Sequence, residues 1–271
     1  MEQPVPSPLN PIPREEFDAL HAGSAKRGIS SRLFEQAFGD EFPIEVDPSS
    51  SCTWSVLGEM VRMLRLRPEE LLVDLGCGRG GTGLWLARAF AARLIGVDFS
   101  ETAIELATAR IPEFFPALDP GENRIRFQLG TFEDTGLPAA SVAGVVSMDA
   151  LPFTPDRDAA LRELRRILKP GARAVFTSST RQPGHPQYNP DEPAWEERIA
   201  AAGFELEAKV DRPEEPEMWS RLFDLWEANE EQLRRECGDV DTDNRLEEAR
   251  TGREVSPFRT AALYAVRAPL I

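Results

Sequence analysis

The stretch "VDLGCGRGGTG", residues 73–83, lies between the apolar run Leu71-Leu72-Val73 and the helix-like "LWLARAF". Its glycines admit two spellings. Gly76, Gly78 and Gly81 read G-x-G-x-x-G, the dinucleotide fingerprint, with Asp98 at the separation expected of a ribose-binding acid. Counted from Asp74 and through Gly80, the same residues read D-x-G-x-G-x-G. Either way, the glycines let the backbone approach a ligand. The helix behind them offers free N–H groups and the positive end of its dipole.

The two spellings imply different ligands. A dinucleotide would set its pyrophosphate at the helix end. S-adenosylmethionine has no phosphate, so its site needs an acid near the strand end for the cationic methionine part. It also needs an acid after the next strand for the ribose hydroxyls, and an apolar slot for adenine. Asp74 stands where a dinucleotide site tolerates an apolar residue, and Asp98 ends "LIGVD", placed to accept both hydroxyls.

Outward from the loop, the chain alternates. "LLVDL", "LIGVD", "RIRFQLG", "VAGVVSM" and "ARAVFTSS" are short apolar runs, separated by helical patterns such as "SETAIELATARI" and "DAALRELRRILK". Ser100 is a candidate cap for the first of these helices, and "KPG" stops the second. Such alternation implies a parallel sheet covered on both faces, and right-handed crossovers make it doubly wound. After "FELEAKV" the rhythm breaks. A long helical stretch, "EMWSRLFDLWEANEEQLRREC", precedes the final strand "RTAALYAVRA", which fits an antiparallel insertion beside its neighbour.

Residues 1–13 hold Pro4, Pro6, Pro8, Pro11 and Pro13, which forbid helix, and a disordered tail is expected there. The segment lacks the apolar core of a secretory leader, and no apolar run approaches membrane-spanning length. Residues 14–70 are expected to form an N-terminal helical cap. Within it, Val56, Leu57, Met60, Val61 and Leu64 share one face, and Ser51 or Thr53 supplies the cap. Residues 71–271 form the main domain, with 214–250 as a helical lid inserted between the sixth and seventh strands.

The 271 residues carry a formal net charge of −15. An acidic surface repels phosphate backbones and anionic headgroups, so neither nucleic acid nor a membrane surface is an expected partner. Cys52, Cys77 and Cys237 form neither a disulfide framework nor a zinc pattern. A cytoplasmic, reducing location and a monomer or homodimer are expected.

"VDLGCGRGG", "LIGVDFS", "GTFEDTGLPAASVAGVVSMDAL" and "LRELRRILKPGARAVF", in this order over residues 71–180, resemble the class I S-adenosylmethionine-dependent methyltransferases of bacterial specialised metabolism. The resemblance implies a Rossmann-like seven-stranded sheet with its last strand antiparallel. It also implies S-adenosyl-L-methionine as cofactor, and no metal is expected, since the sequence shows no clustered Asp-Asp-Asn ligand set. Asp74 would hold the methionine amine, with Gly76 and Gly78 against the cofactor. Asp98 would take the ribose hydroxyls, and Phe99 would pack on adenine. Thr131 falls where many relatives carry an acid for the adenine amino group, a departure, since a hydroxyl accepts less strongly than a carboxylate. The Phe132 N–H would reach a ring nitrogen, and Met148 would lie near the sulfur.

The expected activity is methyl transfer to an oxygen or nitrogen of a small, natural-product-like acceptor. The alternative is an enzyme of the same fold acting as a C-methyltransferase or a non-methylating cyclase. Two residues are candidate bases. His185, in the proline-rich loop after the fifth strand, is either a proton acceptor or an ordinary loop histidine. Asp149 is a base, a substrate ligand or a cap of the following turn. His21 is given no role. Trp219, Phe223 and Trp226, at i, i+4 and i+7, share a helix face, a stripe suited to core packing or to a pocket wall.

Overall fold

The run Leu71–Leu75 becomes strand β1 at the centre of a seven-stranded sheet. A computed structural model of the protein describes residues 14–23, 28–119 and 122–270, so the expected tail over 1–13 lies outside the described residues. Helices α1 (Arg14–Gly23), α2 (Ile29–Phe38) and α3 (Trp54–Leu64) precede the sheet. Beyond β1 come α4 (Gly81–Phe90), β2 (Arg93–Asp98), α5 (Glu101–Ala109), the one-turn α6 (Ile111–Phe114) and β3 (Ile125–Leu129). Then follow β4 (Val142–Ser147), α7 (Arg157–Ile167), β5 (Leu168–Arg181), α8 (Trp195–Ala201) and β6 (Glu205–Asp211). Helices α9 (Glu215–Ala228), α10 (Glu230–Cys237) and α11 (Asp239–Val255) lead to β7 (Arg259–Arg267).

The strand order is β3-β2-β1-β4-β5-β7-β6. Every pairing among β1 to β5 is parallel, whereas β7 runs antiparallel to both β5 and β6. The expected doubly wound sheet with an antiparallel last strand is borne out. The order reverses between β1 and β4, and open sheets of this kind bind ligands beyond the strand ends at that crevice.

Local chemistry sets several boundaries. Thr53 caps α3, its hydroxyl accepting from the Val56 N–H at 3.2 Å. Ser100 caps α5 through the Ala103 N–H at 3.0 Å, as expected of it. The expected stop at "KPG" is instead absorbed into β5, which starts at Leu168. Gly171, at φ 77°, turns the backbone there and donates to the Ala268 carbonyl at 2.9 Å.

Two apolar clusters cover the two faces of the sheet, one including Leu161, Leu164 and Phe176, the other Leu57, Leu84 and Leu94. A third cluster contains no strand residue. It joins Phe34, Phe38 and Phe42 around α2 to Met218, Leu222, Phe223 and Trp226 of α9, with Leu233 and Ala249 behind them. The aromatic stripe of α9 packs into this cluster, and the inserted helices and α2 form one packed layer above the strand ends.

Phe34 is 2% exposed and meets Phe38, Trp219 and Trp226 edge to face, with ring centroids 5.5–6.2 Å apart. Phe34→Ala is expected to cost about 3–5 kcal/mol of unfolding free energy. Val240→Ala, at a site 59% exposed, should stay within about 0.5 kcal/mol of the wild type. Urea unfolding followed by tryptophan fluorescence measures both.

Candidate active site

Two adjacent chambers lie at the β1–β4 crevice. The first, about 260 Å³, is lined by the glycine loop, Asp74, Asp98, Phe99, Phe132 and Met148, with Phe17 and His21 of α1 above. The second, about 280 Å³, lies between β5 and the inserted helices, with Thr177, Arg212, Glu215, Phe223 and Arg259 in its walls. Asp149, Phe153, Trp219 and Glu248 line both. Each volume is just below the ~300 Å³ lower end of ligand sites, and the two lie side by side with those four residues between them.

Asp98 organises the glycine loop. Its Oδ2 accepts from the Gly78 N–H at 2.8 Å and its Oδ1 from the Ser100 N–H at 3.0 Å. One carboxylate thus ties β1's loop to β2's end, and each oxygen keeps a further lone pair. Gly76, at φ 72°, lies where a Cβ would come within 2.4 Å of the Ala150 Cβ, so only glycine leaves this floor open.

Asp74 is buried near the end of β1, and its Oδ2 accepts from the Gly83 N–H in the first turn of α4 at 2.9 Å. Gly83 permits the approach, since a Cβ there would stand 2.6 Å from that oxygen. Burial pushes the Asp74 carboxyl up to about 7, the Gly83 N–H opposing and the Asp98 charge reinforcing the rise. Burial also raises the thiols of Cys52, to about 12, and Cys77, so both stay protonated and unreactive at neutral pH.

Asp149 follows β4 at φ 51°, a left-handed conformation costing about 1–3 kcal/mol outside glycine unless its surroundings enforce it. They do. Its Oδ2 accepts from the Ser51 N–H and hydroxyl, both at 2.6 Å, and its Oδ1 from the Thr177 hydroxyl at 2.8 Å. The Asp149 N–H donates to Thr177 Oγ1 at 2.7 Å. Buried Arg212 completes the network, donating to Ser51 Oγ at 2.8 Å and to the Ser51 carbonyl at 2.6 Å. The carboxylate is held by three donors, which makes it a strut between the 47–53 segment and the sheet.

Other expected residues are dispersed. Phe99 meets Phe17 edge to face at 5.1 Å, and Phe17 meets Phe153 at 5.8 Å, so an apolar wall stands where adenine was expected. Thr131 is exposed and outside the chamber walls, its hydroxyl accepting from the Asp134 N–H at 3.1 Å in a tight turn. His185 lies outside both chamber walls as well. Its Nδ1 accepts from the Gln187 N–H at 3.0 Å. Burial and the charges of Arg181 and Arg259 lower its pKa, so the neutral ring carries its proton on Nε2 and has no spare lone pair.

The structure adds residues the motifs did not signal. His21 lies against the loop, its Cε1 3.3 Å from where a Gly78 Cβ would be. Burial lowers its pKa against the pull of Asp98 and Asp18, the Arg79 charge also lowering it. Arg79, inside the glycine motif, reaches Asp47 Oδ2 at 3.4 Å, the Asp47 carbonyl at 2.8 Å and Ser49 Oγ at 3.1 Å. Glu248 comes from α11, where Asp241, Arg245 and Glu248 repeat at i, i+4 and i+7. That spacing puts the three on one face of the helix but does not say what the face meets. Among the described residues, no group of three or more His, Cys, Asp or Glu is placed to hold a metal ion, and no helix is long and apolar enough to cross a membrane.

Residues 73–176 match a family model described as "Methyltransferase domain". An "O-methyltransferase cnsE" of Penicillium expansum is 29% identical over 135 residues, 48% of this chain and 47% of that protein. The chain spans about half the length of the curated relatives it matches. Among solved structures, the "[4+2]-Cyclase SpnF" superposes with a TM-score of 0.70 at 17% identity, covering 99% of this chain and 98% of that one. A Haemonchus contortus "Phospholethanolamine N-methyltransferase 2", solved with S-adenosylhomocysteine, gives 0.69 at 17% identity, over 98% of this chain and 61% of that one. The resemblance to the class I methyltransferases is borne out by the methyltransferase-domain match over residues 73–176 and, in fold, by the solved structures.

The raised Asp74 carboxyl has a signed consequence for stability. Its folded-state value, about 7 against an ordinary 3.8, means the folded protein retains a proton that the unfolded chain releases. That contribution is fully present below the ordinary value and is lost as pH rises through about 7. Thermal melts from pH 4 to 8 should show the stability of wild type falling relative to Asp74→Asn, other carboxylates cancelling in the difference.

Proposed function

We propose that this chain transfers the methyl group of S-adenosylmethionine to an oxygen or nitrogen of a small, natural-product-like acceptor held beneath α9 and α11. The observation that carries this reading is the adjacency of the two chambers, which share Asp149, Phe153, Trp219 and Glu248 as walls. Those four side chains border both spaces, so cofactor and acceptor would be held side by side. The net charge of −15 supports a small acceptor over a nucleic acid.

In this reading Asp98 takes the ribose hydroxyls with the lone pairs left free by Gly78 and Ser100. Phe99 and Phe132 flank the adenine, Met148 lies near the sulfur, and Asp74, Gly76 and Gly78 border the methionine part. Thr131, its hydroxyl committed to the Asp134 N–H, stays outside the chamber. S-adenosylmethionine, when bound, supplies an electrophilic methyl group for direct displacement. The protein's task is then to orient the acceptor in line, exclude water and receive a proton where the acceptor carries one. Phe17 on Phe99, Asp18 on the Ser100 hydroxyl and His21 on the loop make α1 a cover over the first chamber. Entry and exit therefore require α1 or the α9–α11 layer to move. Asp149 acts as a positioning residue that holds the chamber junction, and His185 supports the loop after β5.

Isothermal titration with S-adenosylhomocysteine tests the cofactor half. Asp98→Ala removes two charge-assisted interactions worth roughly 1.5–3 kcal/mol each and should weaken binding well over tenfold. Unchanged affinity, or tight NAD binding by the wild type, overturns the assignment. Radiolabel transfer from S-adenosylmethionine to small phenols and amines tests the other half. His185→Ala should keep both affinity and transfer near wild-type levels.

A further inference from the structure

The carboxylates that line the two chambers are nearly all committed. Asp47 is engaged by Arg79, Asp74 by the Gly83 N–H, Asp98 by Gly78 and Ser100, and Asp149 by Ser51 and Thr177. Glu215 accepts from the Trp219 indole at 3.0 Å, with Arg259 at 3.6 Å. On α11, Asp241 and Arg245 pair with each other at 2.7 and 3.3 Å, both buried. Glu248, one turn further along the same face, lines both chambers, and its carboxylate has no hydrogen-bond or ion-pair partner among the described residues. Its side chain is exposed and borders both chambers.

An accessible carboxylate with no protein partner is free to interact with whatever molecule occupies the chamber. Nothing in the folding of α11 requires it, since the helix is anchored by the Asp241–Arg245 pair, by Arg245 over the Trp226 ring at 5.2 Å and by buried Ala249. We propose that Glu248 is the proton acceptor of the transfer reaction, facing the acceptor atom at the junction of the two chambers. The inference rests on the methyl-transfer reading above. As the acceptor's lone pair forms the new bond to the methyl carbon, the carbon–sulfur bond breaks and its electron pair stays on sulfur. The hydroxyl or ammonium proton of the acceptor passes to the Glu248 carboxylate. Burial raises the Glu248 carboxyl, with Asp149 and Asp241 adding to the rise and Arg245 and Arg259 opposing it, while Glu215 and Arg212 face the same chamber from α9 and the end of β6. A carboxylate raised in this way accepts a proton near neutral pH better than an ordinary one.

Phenol and pentafluorophenol are the probes, the first un-ionised at neutral pH and the second already an anion that needs no base. Glu248→Gln should lower phenol methylation roughly 10²–10⁴-fold while changing pentafluorophenol methylation by no more than about threefold. Glu248→Asp should restore part of the phenol rate, and the acid limb of the wild-type pH–rate profile should vanish in the glutamine variant. S-adenosylhomocysteine affinity should be unchanged in both variants, which also reports that they fold. Equal loss on both phenols, or loss on neither, overturns the proposal. If wild type methylates neither phenol, infrared titration of the S-adenosylhomocysteine complex decides. A protonated-carboxyl band missing from Glu248→Gln supports the assignment, and identical spectra overturn it. Failure of wild type to bind S-adenosylhomocysteine instead overturns the reading on which the proposal rests.

Discussion

Three arginine side chains hold residues 45–53 across the end of the sheet, and the site depends on that clamp. Arg79 reaches from the glycine loop to Asp47 and Ser49, Arg110 from the end of α5 to the Val46 carbonyl, and Arg212 from the end of β6 to Ser51. A doubly wound sheet provides only the floor of a crevice at its strand ends. The walls must be brought from elsewhere in the chain and fixed by contacts that survive in a partly dry environment. Guanidinium groups suit this because each offers several donors in a fixed plane, enough to satisfy carbonyls that a loop would otherwise leave unpaired.

The clamp explains why Asp149 can occupy a left-handed backbone. Ser51, fixed by Arg212, gives two donors to one of its oxygens, and Thr177 gives one to the other. The result is a polar joint shared by the 45–53 segment, β4, β5 and β6 at the place where the two chambers meet. Strain retained at such a joint fits a site whose geometry is fixed before a ligand arrives.

The sheet was legible in the sequence because its signals are local. Apolar runs buried on both faces, a Ser100 cap and a glycine loop opening a helix each declare themselves within a few residues. Asp98 was legible for the same reason: its two partners, Gly78 and Ser100, sit on the motifs that flag it. The acceptor side was not. His21 reaches the loop only because α1 packs back across α5, and Glu248 faces the chambers only because α11 lies under α9 and α1. His185 attracted notice by the scarcity of histidine, which carries no information about direction, whereas the hydrogen bond to its Nδ1 does. Lid residues follow helix packing, and no motif spacing encodes which turn of a helix will overhang a cleft.

The third apolar cluster carries a consequence for how the chain is made. Phe34 and Phe38 come early, and their partners Phe223 and Trp226 come almost two hundred residues later. At ~5–20 residues per second, a ribosome takes roughly 10–40 s to deliver the second half of that cluster after the first. During that interval β1 to β5 are all made and can pair with one another, while the aromatic face of α2 has no native surface to cover it. The nascent chain therefore presents a greasy helix beside a nearly finished sheet. Chaperone capture or aggregation during synthesis would concentrate on α2, a vulnerability of the growing chain that the finished roof conceals.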